Sequence, residues 1–436
     1  CAPLAYSVSL PYNVTYQCFN KVKGKRSKEM KKFWDKWTEI ALVKRILVGL
    51  ILGAVLGITV PGATGITILG DVFVSALKAI APLLVFFLVI SSLCNAGKSH
   101  GGVIKTVIIL YMFSTVLAAV IAVFASMAFP VKMTLANAAT DTSAPQGIVE
   151  VLNNLLLNVV ANPVSSLVNA NYVGILMWAV LLGLAFRAAD KMTKKVLADV
   201  ADGISMVVTW IINLAPFGIF GLVFNTVSTN GLDIFTTYGK LLLLLVGCML
   251  FIYFVTNPLL VYWCIRQNPY PLIFHCLKRS ALTAFFTRSS AANIPVNMKV
   301  CEEMGLDRDT YSVTIPLGAT INMDGAAITI TVMTMATAFT LGIHVDIPTA
   351  IILSLLAALS ACGASGVAGG SLLLIPMACS LFGISDDISM QVVAVGFIIG
   401  VVQDSVETAL NSSSDLLLSA SAEFRQWRLE GKKITF

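Results

Sequence analysis

The chain of 436 residues is poor in charged side chains, and this shortage says most about its class. Only 12% of its residues are charged, whereas typical soluble domains carry about 25%. Hydrophobic residues make up 57% of the chain and form runs long enough for membrane helices. No stretch alternates like the strands of an outer-membrane barrel. The sequence therefore predicts an all-α integral membrane protein with little mass outside the bilayer.

Patterns for metal, nucleotide or covalent chemistry are also missing. The nine cysteines form no C-x-x-C pair and lie mostly inside apolar runs, as small buried hydrophobes do. His100, His275 and His344 share no ligand spacing. No phosphate-binding glycine pattern follows a strand, and no nucleophile and base flank the carboxylates. These absences argue against a disulfide framework, a transition-metal site and an enzyme. The net charge of +6 indicates basic cytoplasmic loops rather than a nucleic-acid partner.

The first residues differ in composition from everything that follows. Residues 1–29 open on Cys1, contain the glycosylation-type triplet Asn13-Val14-Thr15 and end in a lysine-rich piece. We expect Met30 to be the natural start and residues 1–29 to be an upstream or non-native extension. The alternative is a glycosylated external segment bridged between Cys1 and Cys18, which would require the opposite orientation of the first membrane helix.

The distribution of charge predicts eight membrane spans with both termini in the bacterial cytoplasm. The first six spans are expected at about residues 41–60, 66–96, 103–130, 172–187, 203–228 and 238–265. Basic residues cluster on the predicted inner side, at Lys31–Arg45, Lys98–Lys105, Arg187–Lys195, Arg266–Arg279, Lys299–Arg308 and Arg425–Lys433. The outer side holds Lys132 and Lys240 together with Asp141, Glu150, Asp233, Asp346, Asp386 and Asp387.

Near the carboxyl terminus, the apolar segment Gly400–Leu418 carries polar residues spaced three or four apart. On a helix, Asp404, Thr408, Asn411 and Asp415 fall within roughly 60° of one another. A charge at bilayer depth costs about 2.5 to 3.5 kcal/mol, so each one needs a partner or a task. A solvated face of a soluble helix is the alternative interpretation. We expect a polar binding stripe inside a membrane helix.

Two apolar segments are too broken for single spans. Residues 279–310 contain Arg288 and Pro295, and residues 349–384 contain the glycine-rich stretch Gly363–Ser371. Half-helices that meet at a polar tip are tolerated where protein or a water-filled cavity satisfies their backbone groups. Each predicted hairpin precedes a helix with a polar centre: span 7 with Thr314–Ile330, and span 8 with the stripe of Gly400–Leu418. This repetition is typical of inverted repeats around a midplane site. A close helix crossing of the small-xxx-small type is the alternative for the glycine-rich stretch.

Four motifs carry a resemblance to a known family. In chain order they are T-R-S-S-A-A-N-I-P, G-A-T-I-N-M-D-G-A, G-A-S-G-V-A-G-G-S and Q-D-S-V-E-T-A-L-N-S-S-S-D. Together they resemble the dicarboxylate/amino acid:cation symporter family, from about Met30 to about Arg428, and most closely its bacterial members that carry serine and threonine with sodium. The resemblance implies a homotrimer in the lipid bilayer. In each protomer, spans 1, 2, 4 and 5 form a scaffold, while spans 3, 6, 7 and 8 with both hairpins form an elevator-type transport unit.

The resemblance also assigns a substrate site. Asp404 matches the aspartate that pairs with the substrate ammonium, while Asn411 and the Ser290 N–H match groups that hold the α-carboxylate. A free amino acid has one cation and one anion, and a half-helix N-terminus favours the anion. The implied substrate-binding residues are Arg288, Ser289, Ser290, Val367, Asp404, Glu407, Thr408 and Asn411.

Three sodium sites follow from the same resemblance, and their hard oxygen ligands suit a hard cation. Asp324 could instead be a structural hydrogen-bond acceptor satisfied by serine or threonine, and Asp415 could be a helix-end cap. The implied ligands are Asp415, Asn411, Gly318 and Asn322 for one site; Asp324, Asn322, Tyr111, Ser114 and Thr115 for a deeper one; and Thr320 with carbonyls of the second hairpin for the last.

Glu407 departs from the pattern of members that take acidic amino acids. Those members carry an arginine at this position, so the anionic Glu407 would repel a second substrate carboxylate. Ala326 and Ala291 also replace a threonine and a serine that are common there. We hypothesise that Glu407 pairs with Arg288 or accepts a hydrogen bond from a substrate hydroxyl. A protonated Glu407 that carries a proton is the alternative.

These features predict a sodium-coupled importer of small neutral amino acids, with serine and threonine as the expected substrates. A cation-coupled carrier of acidic amino acids or dicarboxylates is the alternative within the family. A channel-like conductance lined by the same polar stripe is the alternative from a different class.

Overall fold

The structure is a computed structural model that describes residues 40, 42–95, 102–135, 157, 160–231, 233–362, 364 and 369–434. Within these residues the chain forms helices joined by turns and short irregular segments, without strands. The extension predicted for residues 1–29 and the predicted substrate contact of Val367 lie outside them.

The first half of the described chain contains seven α-helices. Their bounds are α1 Leu42–Thr59, α2 Thr67–Asn95, α3 Gly102–Ala128, α4 Pro163–Val168, α5 Tyr172–Ala185, α6 Lys191–Asn213 and α7 Ala215–Asn230. The fifth predicted span, 203–228, is divided at Leu214 between α6 and α7. Pro216 is the second residue of α7, where its missing N–H and fixed φ favour a new helix start over continuation of α6.

The second half contains shorter helices and one long one. Their bounds are α8 Asp233–Phe251, α9 Asn257–Ile265, α10 Tyr270–Cys276, α11 Leu282–Thr287, α12 Ser290–Glu303, α13 Arg308–Ile321, α14 Asp324–Thr340, α15 Ile347–Ala361, α16 Ile375–Ser380 and α17 Asp386–Leu429. One π-helical turn, Ile252–Thr256, joins α8 to α9, and another, Leu277–Ala281, joins α10 to α11.

Among the described residues, six helical segments are long and apolar enough to cross a membrane, and four shorter helices are also apolar. The six are Thr64–Asn95, Gly102–Ala128, Lys191–Asn213, Phe235–Ile265, Arg308–Thr340 and Asp386–Leu429. The prediction of an all-helical membrane protein is therefore confirmed for the described chain. The count of eight spans stays a prediction.

The first predicted hairpin has two helical arms in the structure. Its first arm begins at Tyr270, earlier than the predicted boundary, and the second arm is α12. Between them, Arg288 takes a left-handed conformation with φ of 53° and Ser289 is extended. The Ser289 hydroxyl accepts a hydrogen bond from the Ala292 N–H, and this cap begins α12. The second predicted hairpin includes α15 and α16.

Helix α17 is the central element of the second half. It packs against helices α8 to α14 and α16, and it is buried along most of its length between Ile388 and Phe424. Helix α3 packs against α14, α15 and α17, whereas α1, α2, α5, α6 and α7 pack chiefly on one another. The polar stripe of the buried helix α17 lies beside the start of α14 and beside the turn of the first hairpin. This turn, at Arg288 and Ser289, is the corner of the first hairpin.

Candidate functional site

The polar stripe of α17 lies inside the protein. Asp404, Glu407, Thr408, Asn411 and Asp415 are each at most 6% exposed. Because buried polar groups need partners, their contacts indicate how this part of the fold is organised. These contacts connect α17 to the first hairpin, to the segment before α16 and to α14.

Asp404 joins both predicted hairpins. Its Oδ2 lies 2.6 Å from Nε of Arg288, in a buried ion pair at the corner of the first hairpin. Its Oδ1 accepts a hydrogen bond of 3.2 Å from the N–H of Gly369. Gly369 has φ of +75°, and a Cβ there would lie only 2.9 Å from the Phe397 ring, so glycine suits this approach.

Glu407 lies one turn further along α17 and accepts hydrogen bonds from two protein hydroxyls. Its Oε2 lies 2.7 Å from the Thr329 hydroxyl and 2.9 Å from the Ser371 hydroxyl. The side-chain amide of Gln403 donates to the same oxygen. The hypothesised ion pair between Glu407 and Arg288 is not formed, since Arg288 pairs with Asp404 instead. Glu407 is therefore surrounded by hydroxyl and amide donors.

Asn411 presents its amide nitrogen toward a weak partner. Its Oδ1 accepts a 2.7 Å hydrogen bond from the Gly325 N–H, while its Nδ2 lies 3.5 Å from the sulfur of Met323. A thioether is a poor acceptor, so this amide keeps a strong donor for an anion. Ser290, at the start of α12, is buried as well.

The Asp415 carboxylate lies at the junction of α13 and α14. It accepts a 2.9 Å hydrogen bond from Nδ2 of Asn322, while its own backbone carbonyl accepts one of 2.8 Å from the Tyr111 hydroxyl. A Cβ on Gly318 would lie 2.8 Å from Asp415 Oδ1, so only glycine lets α13 approach this closely. Oδ1 of Asn322 is buried and accepts no hydrogen bond from the described residues. An unpaired amide oxygen beside a carboxylate is a donor set that suits a cation.

Asp324 begins α14 and is fully buried. Its Oδ2 accepts a 2.7 Å hydrogen bond from Ser114, and its Oδ1 accepts one of 3.1 Å from Thr115. These contacts fit the structural alternative, in which hydroxyl groups satisfy Asp324. The same carboxylate and hydroxyl oxygens are also hard ligands for a cation. Thr320 donates to the Leu317 carbonyl and lies on α13.

Several contacts of the candidate site were not predicted from the sequence. Thr329, Ser371 and Gln403 surround Glu407, and the Asn293 amide ties α12 to Ser412 of α17 at 2.8 Å. Gln403 lies four residues before Glu407, so helical spacing alone could have identified it. Thr329 lies on α14 and Ser371 lies in the short segment before α16, so their contacts with Glu407 depend on the tertiary fold.

The site lies within a region that is similar to known transporters. The sodium:dicarboxylate symporter family matches residues 42–423. A protein of Bifidobacterium adolescentis named serine/threonine transporter SstT is 58% identical over 412 residues, which cover 94% of this chain and 96% of that protein. A protein of the same name from Streptococcus thermophilus is 55% identical over 400 residues, covering 92% of this chain and all of that protein. These matches confirm the resemblance carried by the four motifs, and they favour a transporter over an enzyme. The chain belongs to the sodium:dicarboxylate symporter family.

Proposed function

We propose that this protein imports serine and threonine across the cell membrane together with sodium. The environment of Glu407 carries this proposal. At the position where acidic-substrate relatives have an arginine, the chain places a buried carboxylate that already accepts hydrogen bonds from Thr329 and Ser371 hydroxyls. A substrate hydroxyl can make the same kind of contact, whereas a substrate carboxylate would be repelled. The names of the relatives point to the same substrates.

Asp404 provides the site for the substrate ammonium. The Arg288 guanidinium lies against this carboxylate. An ammonium group must therefore share Asp404 with Arg288 or displace it. Either exchange affects the corner of the first hairpin, and the hydrogen bond from Gly369 connects it to the second. Substrate binding is thereby linked to both hairpins.

The α-carboxylate is held by the Asn411 amide and by backbone N–H groups at Ser289–Ser290. The start of a helix carries unpaired N–H groups and the positive end of the dipole. Asn411 retains a donor because Met323 sulfur is a weak acceptor. Thr408 contributes a hydroxyl one turn from Asp404. The cradle therefore complements both charges of a free amino acid.

Sodium ions are carried as co-substrates by the oxygen-rich positions around α13, α14 and α17. The unpaired Oδ1 of Asn322 beside Asp415 supports one site. Asp324 with Ser114 and Thr115 forms the deeper site. The hydroxyl of Tyr111, another ligand implied for that site, donates to the carbonyl oxygens of Asp415 and Thr314 instead. Asn411 lies in both the amino-acid cradle and the first sodium site, and this shared residue is a physical basis for coupling.

Transport then requires that the α17 region moves against a fixed part. We assign the fixed scaffold to spans 1, 2, 4 and 5, whose helices pack chiefly on one another. Span 3 packs against α14, α15 and α17, in keeping with a transport unit of spans 3, 6, 7 and 8 and the two hairpins. Three such protomers form the functional homotrimer, with elevator-type movement and cytoplasmic termini.

The test is uptake of radiolabelled serine into proteoliposomes under an inward sodium gradient, with choline replacing sodium in the control. We expect saturable accumulation that requires sodium and is reduced by excess threonine but not by aspartate. Non-saturating flux without accumulation would indicate a channel. Strong competition by aspartate would indicate an acidic amino acid carrier.

A variant tests the side-chain selector. Glu407→Arg should weaken serine uptake and allow aspartate to compete, because a cation then faces the substrate side chain. Glu302→Arg makes the same charge change at an exposed position of α12 and should leave selectivity unchanged. If aspartate does not compete in Glu407→Arg, Glu407 is not the selector.

A further inference from the structure

A large groove lies between α3 and α8, away from the α17 stripe. Its volume is about 850 Å³. One wall is the end of α3 with the residues after it, from Ile121 to Val131, and the other is α8 from Lys240 to Phe251. The lining is almost wholly apolar, with Lys240 as its one charged residue. Phe124 and Leu243 are largely exposed on its two sides, so the groove is open at the protein surface.

We propose that this groove binds one anionic phospholipid from the outer leaflet of the membrane. Its lipid phosphate would lie at Lys240, and one acyl chain would follow α8 toward Phe251.

The dimensions of the groove fit an acyl chain. From Lys240 to Phe251, α8 advances about 16 Å at 1.5 Å per residue. This length is close to one half of a hydrocarbon core that is about 30 Å thick. The positive-inside rule places Lys240 on the outer side of the membrane, so the apolar part of the groove extends inward from the headgroup region.

Lys240 provides the charge complementarity. It is exposed at the polar end of the groove and has no ion-pair partner among the described side chains. A lysine at a membrane interface attracts anionic headgroups. A zwitterionic lipid could fill the same apolar space but would gain less from this charge.

Small residues give the groove its depth. Ala125 and Ala128 line the α3 side, and Gly247 lines the α8 side. A Cβ added at Gly247 would have no neighbour within 4 Å, so a larger side chain there would extend into open space. Gly239 lies on the same helix with equally open space but does not line the groove. This pair of glycines allows a matched test.

Native mass spectrometry of the purified full chain, titrated with phosphatidylglycerol or phosphatidylcholine, tests the proposal. We expect one retained phosphatidylglycerol in the unchanged protein and in Gly239→Phe, and its loss in Gly247→Phe. Lys240→Gln should reduce the preference for phosphatidylglycerol about fivefold, the effect of one basic residue at a membrane surface. Equal retention of both lipids by the unchanged protein, or equal retention of phosphatidylglycerol by Gly239→Phe and Gly247→Phe, would overturn the proposal.

Photocrosslinking identifies the occupant directly. A photoreactive residue in place of Leu243, in proteoliposomes containing phosphatidylglycerol, should capture that lipid. Capture of a second copy of the chain, or of residues 136–156 of the same chain, would instead assign the groove to a protein contact and overturn the proposal. Serine uptake is not part of either readout, so failure here is distinct from failure of the transport proposal.

Discussion

Helices α1, α2 and α7 pack through glycine, whereas α13, α14 and α17 pack through buried polar groups. In the first region, Gly49, Gly53 and Gly57 of α1 recur every four residues against α7. A Cβ at Gly49 would lie 2.2 Å from the Pro216 carbonyl oxygen, and one at Gly53 would lie 2.6 Å from that of Phe220. The helix backbones are therefore in direct contact, as in small-xxx-small packing of membrane helices.

The second region encloses carboxylates, amides and hydroxyls instead. Asp324, Asp404, Glu407 and Asp415 are all buried within it. Glycine also allows close approach here, since a Cβ on Gly325 would lie 2.9 Å from Cγ of Glu407. This close approach of α14 to α17 brings polar side chains into contact with one another.

The contrast shows how one apolar composition supports two kinds of helix packing. Direct backbone contact leaves no room for a ligand and suits a fixed part. Buried polar groups can exchange hydrogen-bond partners, so an amino acid or ion that binds among them would change which arrangement is favoured. The following variants test this division.

The largest expected effect is from Gly49→Leu. The added side chain would overlap the α7 backbone, and overpacking of this kind costs about 3 kcal/mol or more. We expect little monodisperse protein in size-exclusion chromatography and a markedly lower Tm. Gly203→Leu adds the same side chain to α6, where a Cβ meets no neighbour, and should leave both unchanged. Normal behaviour of Gly49→Leu would mean that α1 and α7 are not in direct contact.

A second variant breaks the buried ion pair. Asp404→Asn removes the partner of Arg288 and the proposed partner of the substrate ammonium, so serine uptake should fall about 30-fold or more. The unpaired buried arginine should also lower stability by about 3 kcal/mol. Adding Arg288→Gln should recover Tm without recovering uptake. Recovery of uptake in the double variant would show that Asp404 serves the fold alone.

A third variant keeps the size of Glu407 and removes its charge. Glu407→Gln replaces charge-assisted hydrogen bonds by neutral ones, a difference of about 1 kcal/mol. The affinity for serine should fall about fivefold by isothermal titration. Alanine lacks the hydroxyl, so its affinity should change less if this substrate binds. An equal loss for serine and alanine would mean that Glu407 does not contact the substrate hydroxyl.

The smallest effect is expected at an exposed ion pair. Lys78 of α2 lies 2.7 Å from Asp387 of α17, and both side chains are well exposed. Such pairs contribute about 0 to 1 kcal/mol, so Lys78→Gln should hardly change Tm. A loss as large as that of Asp404→Asn would contradict the contrast between the two kinds of ion pair.

Sequence spacing predicted the stripe because it depends on one helix. Asp404, Thr408, Asn411 and Asp415 share a face by periodicity, and all four are buried in α17. The partners of Glu407 were missed because Thr329 and Ser371 are separated from it by 78 and 36 residues in the chain. The Glu407–Arg288 pair was wrong because opposite charge alone does not determine which carboxylate Arg288 contacts. The geometry of the hairpin corner places Arg288 at Asp404.

The bounds of some helices were predicted more accurately than those of others. Apolar runs gave α1, α2 and α3 close to their observed bounds, since a helix in lipid satisfies its own backbone. The division between α6 and α7 was missed although Pro216 was visible in the sequence. The ligand roles proposed for Ser290, Gly318 and Thr320 rest on the family pattern alone, because backbone groups and single hydroxyls leave no distinctive signal in one sequence.

We propose that sodium and the amino acid bind to one shared polar centre through Asn411. The most direct test is the serine Kd of the purified protein, measured by isothermal titration at rising sodium with choline keeping ionic strength constant. We predict that sodium tightens serine binding by about 5- to 150-fold, the usual range of coupling between linked sites. Asp415→Asn should abolish most of this dependence. A serine Kd that does not change with sodium would show that the two ligands do not share this centre.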